Sequence, residues 1–219
     1  WRFIYPPKSW VEGLMVNLDG KRFVNEASYG ARIGEAMAEH NHGKGILVFS
    51  HAMLKDVLFQ LMPGKVWLLL QTAPAVLSLL FNTKKAATID ALAQRSQLPV
   101  EALRESVARY NILAAKKEDD DFHKAAEYLR PLEQGPFYAM DVSVGNKLFI
   151  CPTITLGGLV VDELTGLVKR EDGSTIPNLY AAGRTAIGVA SHSYVSGLSL
   201  ADCVFSGRRA GAHISTINQ

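Results

Sequence analysis

Cysteine is scarce: Cys151 and Cys203 are the only two in 219 residues. Such a pair makes no disulfide framework and no C-x-x-C metal pair, so reduced thiols in a cytoplasmic protein are the expectation. Histidine supplies no metal pattern either. His40 and His42 stand two apart with no spaced cysteines beside them, and no metal is expected. A surplus of one charge is also missing. Lys and Arg number 23 against 21 Asp and Glu, for a net charge of +2. There is no basic run, so nucleic acid is not expected as a partner. The chain opens Trp1-Arg2-Phe3-Ile4-Tyr5, without an initiator Met or the charged-then-apolar layout of a signal peptide. A G-x-G-x-x-G turn is absent, so the sequence carries no dinucleotide fingerprint of its own. The longest apolar run, residues 66–81 (VWLLLQTAPAVLSLLF), is too short to span a bilayer and contains Gln71 and Pro74. It reads as a buried or partly exposed segment. The alternative is a greasy surface that admits an apolar molecule or touches a membrane.

What is present fits one large domain or two small ones. Residues 1–10, with Trp1, Pro6, Pro7 and Trp10, read as an extended connector. Leu14-Met15-Val16-Asn17-Leu18 and Lys21-Arg22-Phe23-Val24 flank Asp19-Gly20 and predict a hairpin. Helical spacing runs from Gly30 to about His40 and breaks at His42-Gly43-Lys44-Gly45. Ile46-Leu47-Val48-Phe49 predicts a buried strand, and residues 51–61 a helix. Thr88 caps one helix, and Leu98-Pro99-Val100 opens another through Val107, Tyr110, Leu113 and Ala114, with Tyr110 in the core. The acidic run Glu118-Asp119-Asp120-Asp121 reads as a solvated turn without a role. From Gly135 the composition turns β-rich, with strands expected over 141–151 and 153–162. Gly166 and Asp172-Gly173 supply hairpin turns. The boundary is placed near residue 130.

The densest signal lies in residues 176–212. Asn178-Leu179-Tyr180-Ala181-Ala182 reads as a short strand that breaks at Gly183. A loop of small and hydroxylated residues follows, and a helix begins near Ser199, with Leu200, Val204, Ala210 and Ala212 among its apolar positions. Strand, small-residue loop and helix N-terminus together suit a large polar or anionic ligand lying close to the backbone. Glycines inside a strand, such as Gly157-Gly158, also mark bulges or tight corners.

Taken together, these blocks resemble the fumarate reductase/succinate dehydrogenase flavoprotein superfamily, and within it the 3-ketosteroid dehydrogenases. The resemblance rests on Gly157-Gly158-Leu159, on Ile176-Pro177-Asn178-Leu179-Tyr180-Ala181-Ala182-Gly183-Arg184 and on Ser193-Tyr194-Val195-Ser196-Gly197-Leu198-Ser199-Leu200-Ala201-Asp202-Cys203. An early block, Gly20-Lys21-Arg22-Phe23-Val24-Asn25-Glu26, matches the family's cap-domain signature. It implies an α+β chain: a connector over 1–10, a cap or substrate domain over 11–130, and over 131–219 the C-terminal part of a Rossmann-like FAD-binding domain. The N-terminal nucleotide half of such a flavoprotein would then be a missing partner of this portion.

The resemblance also implies roles. FAD would contact Gly157, Gly158, Gly183, Arg184, Gly197, Ser199 and Leu200, with helix N–H groups meeting the flavin pyrimidine carbonyl. Arg184 stands where the family commonly has an acidic residue. Tyr29, Tyr194 and Ser196 would be catalytic in desaturating a small apolar ketone or steroid. A proton leaves the carbon next to the ketone, and a hydride leaves its neighbour for flavin N5. Val195 and Ser196 after the tyrosine, in place of Pro and Gly, point to the Δ4 subgroup. Two other readings stand. Fumarate reduction or succinate oxidation needs guanidinium clamps, yet residues 190–200 hold only His192 as a basic group. Alternatively, this chain alone is an inactive cap-plus-sheet module that binds FAD weakly.

Overall fold

The structure, a computed structural model, describes residues 8–60, 73–149, 156–189 and 194–217. It divides into two compact units, residues 1–151 and 152–219.

The first unit runs α1 (Lys8–Val11), β1 (Leu14–Val16), α2 (Gly30–His40), β2 (Ile46–Ser50), α3 (His51–Gln60), α4 (Ala73–Phe81), β3 (Thr83–Ala86), α5 (Ile89–Arg95), α6 (Val100–Lys116) and β4 (Phe137–Asp141). The strands form one antiparallel sheet in the order β1-β2-β4-β3. All five residues of β2 are buried, which accounts for its unbroken apolar run: an interior strand covered on both faces shows no alternation. Helix α6 packs Leu103, Val107, Tyr110, Leu113 and Ala114, spaced by three or four, into the core. Thr88 caps α5 as expected, its Oγ1 accepting from the Ala91 N–H at 3.2 Å.

Residues 8–11 form a helix where an extended connector was expected, and in the described part of 153–162 only isolated bridges form, at Leu159 and Val161. Three further expectations change. The Asp19-Gly20 turn forms, with Gly20 at φ +74°, but its second arm reduces to the single bridge Val16↔Arg22. β1 pairs with β2 instead. The strand expected over 141–151 stops at Asp141. Beyond it, Gly145 at φ +81° turns the chain, and residues 150–155 lie outside the described set. The acidic run is exposed at Glu118, Asp120 and Asp121 as expected, but Asp119 is buried. Of the apolar run 66–81, residues 73–81 are helical and the rest lie outside the described residues. Among the described residues no helix is long and apolar enough to cross a membrane.

One buried ion cluster explains the changes at the hairpin and at the acidic run. Arg22 makes paired hydrogen bonds to Glu26 (3.0 and 2.9 Å) and to Asp119 (2.9 and 2.8 Å), 97 residues away. Its guanidinium lies 5.2 Å from the ring centroid of Tyr110 and 4.9 Å from that of Phe122. Lys124 Nζ donates to the Gly13 carbonyl (2.8 Å) and the Tyr110 hydroxyl (3.0 Å) and stands 3.2 Å from Glu26. The side chains of Glu26, Asp119 and Lys124 are at most 1% exposed. Burial by itself would raise the Asp119 carboxyl. The Arg22 hydrogen bonds, the backbone N–H groups of Lys124 and Phe122 and the Arg22 charge outweigh it and hold the carboxyl below its usual range. Burial pushes the Lys124 ammonium down; Glu26 pulls it up without fully offsetting that. Segment 21–28 is thereby drawn out of the sheet, and Tyr29 is delivered to the N-terminus of α2.

The second unit is smaller. It comprises β5 (Leu167–Lys169), β6 (Thr175–Tyr180) and α7 (Leu198–Ile217), with a 3₁₀ turn at Gly183–Thr185. β5 and β6 form the expected hairpin, with Gly173 at φ +84° in its loop, and Gly166 at φ +80° turns the chain into β5. Its core is slight: Val168, Ala181 and Ala186, with Val161 and Ile176 against them.

Because removing one partner strands a buried charge, Glu26→Ala is expected to lower the stability of the complete flavoprotein by about 3–5 kcal/mol in urea denaturation. Asp119 has a depressed folded pKa. Its contribution is therefore complete above the ordinary carboxylate value, about 3.9, and is lost as pH falls through the folded value. Stability measured against acid pH should fall less steeply in Asp119→Asn than in the wild type. Equal slopes would remove Asp119 from the acid transition.

Candidate functional site

The site is built on the second unit by three segments that meet through their backbones. Residues 158–161 run beside residues 185–187: the Leu159 N–H donates to Thr185 O (2.8 Å) and the Ile187 N–H to Leu159 O (2.9 Å). On its other side the same segment bonds β5, with the Lys169 N–H donating to Val160 O at 2.8 Å. The Gly183 N–H donates to Ser206 Oγ (2.7 Å), whose hydroxyl donates to the Asp202 carbonyl (2.5 Å). Arg184 Nη1 donates to Ser199 Oγ at 3.1 Å. Leu156, Gly183, Arg184, Ala186, Ser199 and Asp202 line one small depression.

The glycines divide by what a side chain would meet. At Gly158 a Cβ would lie 2.6 Å from Thr185 O and 2.7 Å from the Ala186 carbonyl carbon. Gly183 has φ +59°, and a Cβ there would lie 2.7 Å from Cys203 Sγ. These two are small because the chain packs against itself. Gly188 belongs with them, its added Cβ colliding with the Asp202 carboxylate. At Gly157 a Cβ meets nothing within 4 Å, and the residue is exposed. Gly197 also faces open space but sits at φ +87°, in the turn ahead of α7.

Helix α7 begins at Leu198, and the Gly197 carbonyl accepts from the Ala201 N–H at 3.4 Å. The Leu200 N–H, expected to face the flavin, is engaged with the Gly197 carbonyl at 3.2 Å. Leu200 itself is 76% exposed. Tyr194 and Ser196 are half-buried in the loop just before the helix, and the Leu198 N–H donates to Val195 O at 3.1 Å. Ser193 lies outside the described residues. Tyr29 belongs to the first unit, where its carbonyl accepts from the Arg32 N–H (2.8 Å) at the start of α2. Thus Gly157, Gly158, Gly183, Arg184 and Ser199 are brought together in one unit, with Tyr194, Ser196 and Gly197 leading into the same helix.

Sequence reasoning missed Asp202 and Ser206. Both are buried, with Ala210, on the inward side of α7. Their signal was the spacing of Ser199, Asp202 and Ser206 at i, i+3, i+7, a polar stripe on one helix face. Leu200 and Val204 had marked the other face as the apolar side, and it is the exposed one, Val204 at 64%.

Residues 12–200 match the family described as the FAD binding domain. The chain belongs to this FAD-binding family. It is 34% identical over 183 residues to the 3-oxo-5-alpha-steroid 4-dehydrogenase of Comamonas testosteroni, covering 84% of this chain and 34% of that protein. It is 30% identical over 200 residues to the fumarate reductase (cytochrome) of Shewanella frigidimarina, covering 90% of this chain and 31% of that protein. The crystal structure of the 3-ketosteroid-Δ4-(5α)-dehydrogenase of Rhodococcus jostii in complex with 4-androstene-3,17-dione superimposes with a TM-score of 0.73 at 32% identity, over 94% of this chain and 39% of that one. The chain therefore spans about a third of the length of the curated relatives it matches. It is an α+β portion of an FAD-binding flavoprotein.

FAD is the cofactor of this family, and the residues present fit it. Among the described residues nothing lies within 4 Å of a Cβ built at Gly157 or Gly197, so the backbone there is open to a broad planar ligand. The division among glycines is testable in the complete flavoprotein. Gly158→Ala and Gly183→Ala should each lower the stability of the apoprotein by about 1 kcal/mol or more, read as a lower melting point. Gly157→Ala should leave the apoprotein within about 0.5 kcal/mol of wild type and weaken FAD binding, read by fluorescence titration. An apoprotein destabilised equally by all three would erase the distinction.

Proposed function

We propose that the complete flavoprotein desaturates a carbon–carbon bond next to the ketone of a 3-ketosteroid-like substrate, with Δ4 regiochemistry. The observation that carries this reading is the character of the loop ahead of α7 taken with the fate of Arg22. Tyr194 and Ser196 offer a phenol and a hydroxyl there, and residues 190–200 hold no arginine. A dicarboxylate would need guanidinium clamps. Arg22 is committed to Glu26 and Asp119 and is 7% exposed at its side chain, which disfavours it as such a clamp. The similarity to the Comamonas and Rhodococcus enzymes supports the same choice.

In this reading the ketone acidifies the proton on the adjacent carbon, and Tyr194 and Ser196 take up and relay that proton. Tyr29, on the first unit, is assigned as a second phenol of the relay. Loss of the proton and of a hydride from the neighbouring carbon leaves a double bond conjugated with the carbonyl. FAD, when bound, supplies the hydride acceptor. Gly157, Gly158, Gly183, Arg184, Gly197, Ser199 and Leu200 are assigned to holding it. The first unit acts as the cap, which then extends past residue 130 to include β4, since β4 pairs with both β2 and β3. The second unit acts as the returning part of the flavin domain. The outward apolar side of α7, with Leu200, Val204 and Phe205 at 76%, 64% and 57% exposed, is the face expected to pack against the N-terminal nucleotide half.

Anaerobic titration of the FAD-loaded complete protein with a saturated 3-ketosteroid should bleach the visible flavin band while a 4-ene-3-one ultraviolet band grows. Bleaching by succinate and not by steroid would favour the dicarboxylate reading instead. Tyr194→Phe and Ser196→Ala are each expected to cut turnover by about 10² or more with flavin retained.

A further inference from the structure

The inward stripe of α7 grips one short segment at three points. The Ser206 hydroxyl accepts from the Gly183 N–H at 2.7 Å, and Ser199 Oγ accepts from Arg184 Nη1 at 3.1 Å. The third point is Gly188. A Cβ there would lie 2.8 Å from Asp202 Cγ and 2.9 Å from Asp202 Oδ1, so the buried carboxylate occupies the space that a side chain would need. Gly188 lies outside the positive-φ region, and the approach of Asp202, not the backbone, is what requires glycine there. The two residues are fitted to each other, and a close-packed contact tolerates neither a gap nor an added methyl group.

This contact stands at the base of a loop. Segment 183–188 leads toward Tyr194 and Ser196, with residues 190–193 outside the described set, and the chain returns to α7 at Leu198. On the return side the Leu198 N–H donates to Val195 O (3.1 Å) and the Ala201 N–H to the Gly197 carbonyl (3.4 Å). On the entry side the Ile187 N–H donates to Leu159 O at 2.9 Å, and Asp202 meets the next residue. Entry and exit are thus held on the first turns of the same helix. A loop whose ends are close keeps its shape through few contacts.

We propose that Asp202 is a positioning residue: by filling the space against Gly188 it fixes the base of this loop, and with it the placement of Tyr194 and Ser196. The inference rests on the reading of those two side chains as proton-relay groups. What Asp202 supplies is shape. Its backbone carbonyl, not its side chain, takes part in the Ser206 bond that holds Gly183, so a substitution at 202 leaves that grip in place.

The test uses the complete, FAD-loaded flavoprotein and two readouts. Amide hydrogen exchange over residues 189–197 should be about tenfold faster in Asp202→Ala and unchanged in Asp202→Asn, which fills the same volume. With a saturated 3-ketosteroid, Asp202→Ala and Gly188→Ala should each lower kcat by about tenfold or more, with KM within about threefold and flavin content at the wild-type value. Gly188→Ala/Asp202→Ala should regain much of that loss, because the added methyl enters the gap left by the carboxylate. Unchanged exchange in Asp202→Ala would overturn the proposal whatever the substrate. So would an Asp202→Asn as impaired as Asp202→Ala, or a double variant whose losses simply add. A wild-type kcat in Asp202→Ala beside an impaired Tyr194→Phe would overturn it alone. A wild-type rate in Tyr194→Phe would overturn the relay reading, and the catalytic half of the proposal with it.

Discussion

Arg22 holds two carboxylates at once, Glu26 four residues on and Asp119 ninety-seven residues on. Those two bonds tie the start of the first unit to the loop after α6, and Lys124 closes the cluster through Glu26, Gly13 and Tyr110. Three segments remote in sequence are fixed relative to one another by charges that water does not reach. Desolvation makes such a cluster costly to assemble and costlier to break, because each group's compensation is another member. The consequence reaches Tyr29. Glu26 also accepts from the Met15 N–H at 2.9 Å, so the segment leading to α2 has its position set by the same carboxylate.

In the second unit close approach takes the place of charge. The three segments that meet there have few large side chains between them. Backbone meets backbone at Gly158, and a helix comes down onto Gly183 and Gly188. The buried face of α7 is accordingly made of Asp202, Ser206 and Ala210. Small and polar residues let the helix lie near the turn at Gly183–Thr185 and still satisfy the Gly183 N–H through Ser206. Glycines that looked alike in sequence thus have different functions. Some admit the chain's own backbone, while Gly157 and Gly197 face open space among the described residues.

Helices α4 and α7 both present apolar residues outward, and the reasons differ. In α7 the inward face must be small to approach the glycine-bearing turns, so its leucine, valine and phenylalanine are left on the far side. In α4 a serine–asparagine–threonine set of hydrogen bonds anchors the C-terminal end of the helix and Leu79 packs against the core, while Leu77, Leu80 and Phe81 are left exposed.

Local physics was legible in the sequence. The Thr88 cap, the positive-φ glycines of the turns before and after β5, the three-to-four spacing of α6 and the burial of Tyr110 depend on a few neighbouring residues or on periodicity alone. The family-matching blocks around Gly157-Gly158, Gly183 and Tyr194 were legible for the same reason, since each is contiguous. Tertiary structure decided the rest. Asp119 could be told from the solvated Asp120 beside it only once Arg22 arrived from the other end of the unit. Gly158 could be told from Gly157 only once residues 185–187 lay against it. Asp202 and Ser206 became the buried face of α7 because a turn with no side chain came within reach. A charge pair or a close backbone approach takes its energy from which distant segment is present, and no local pattern records that.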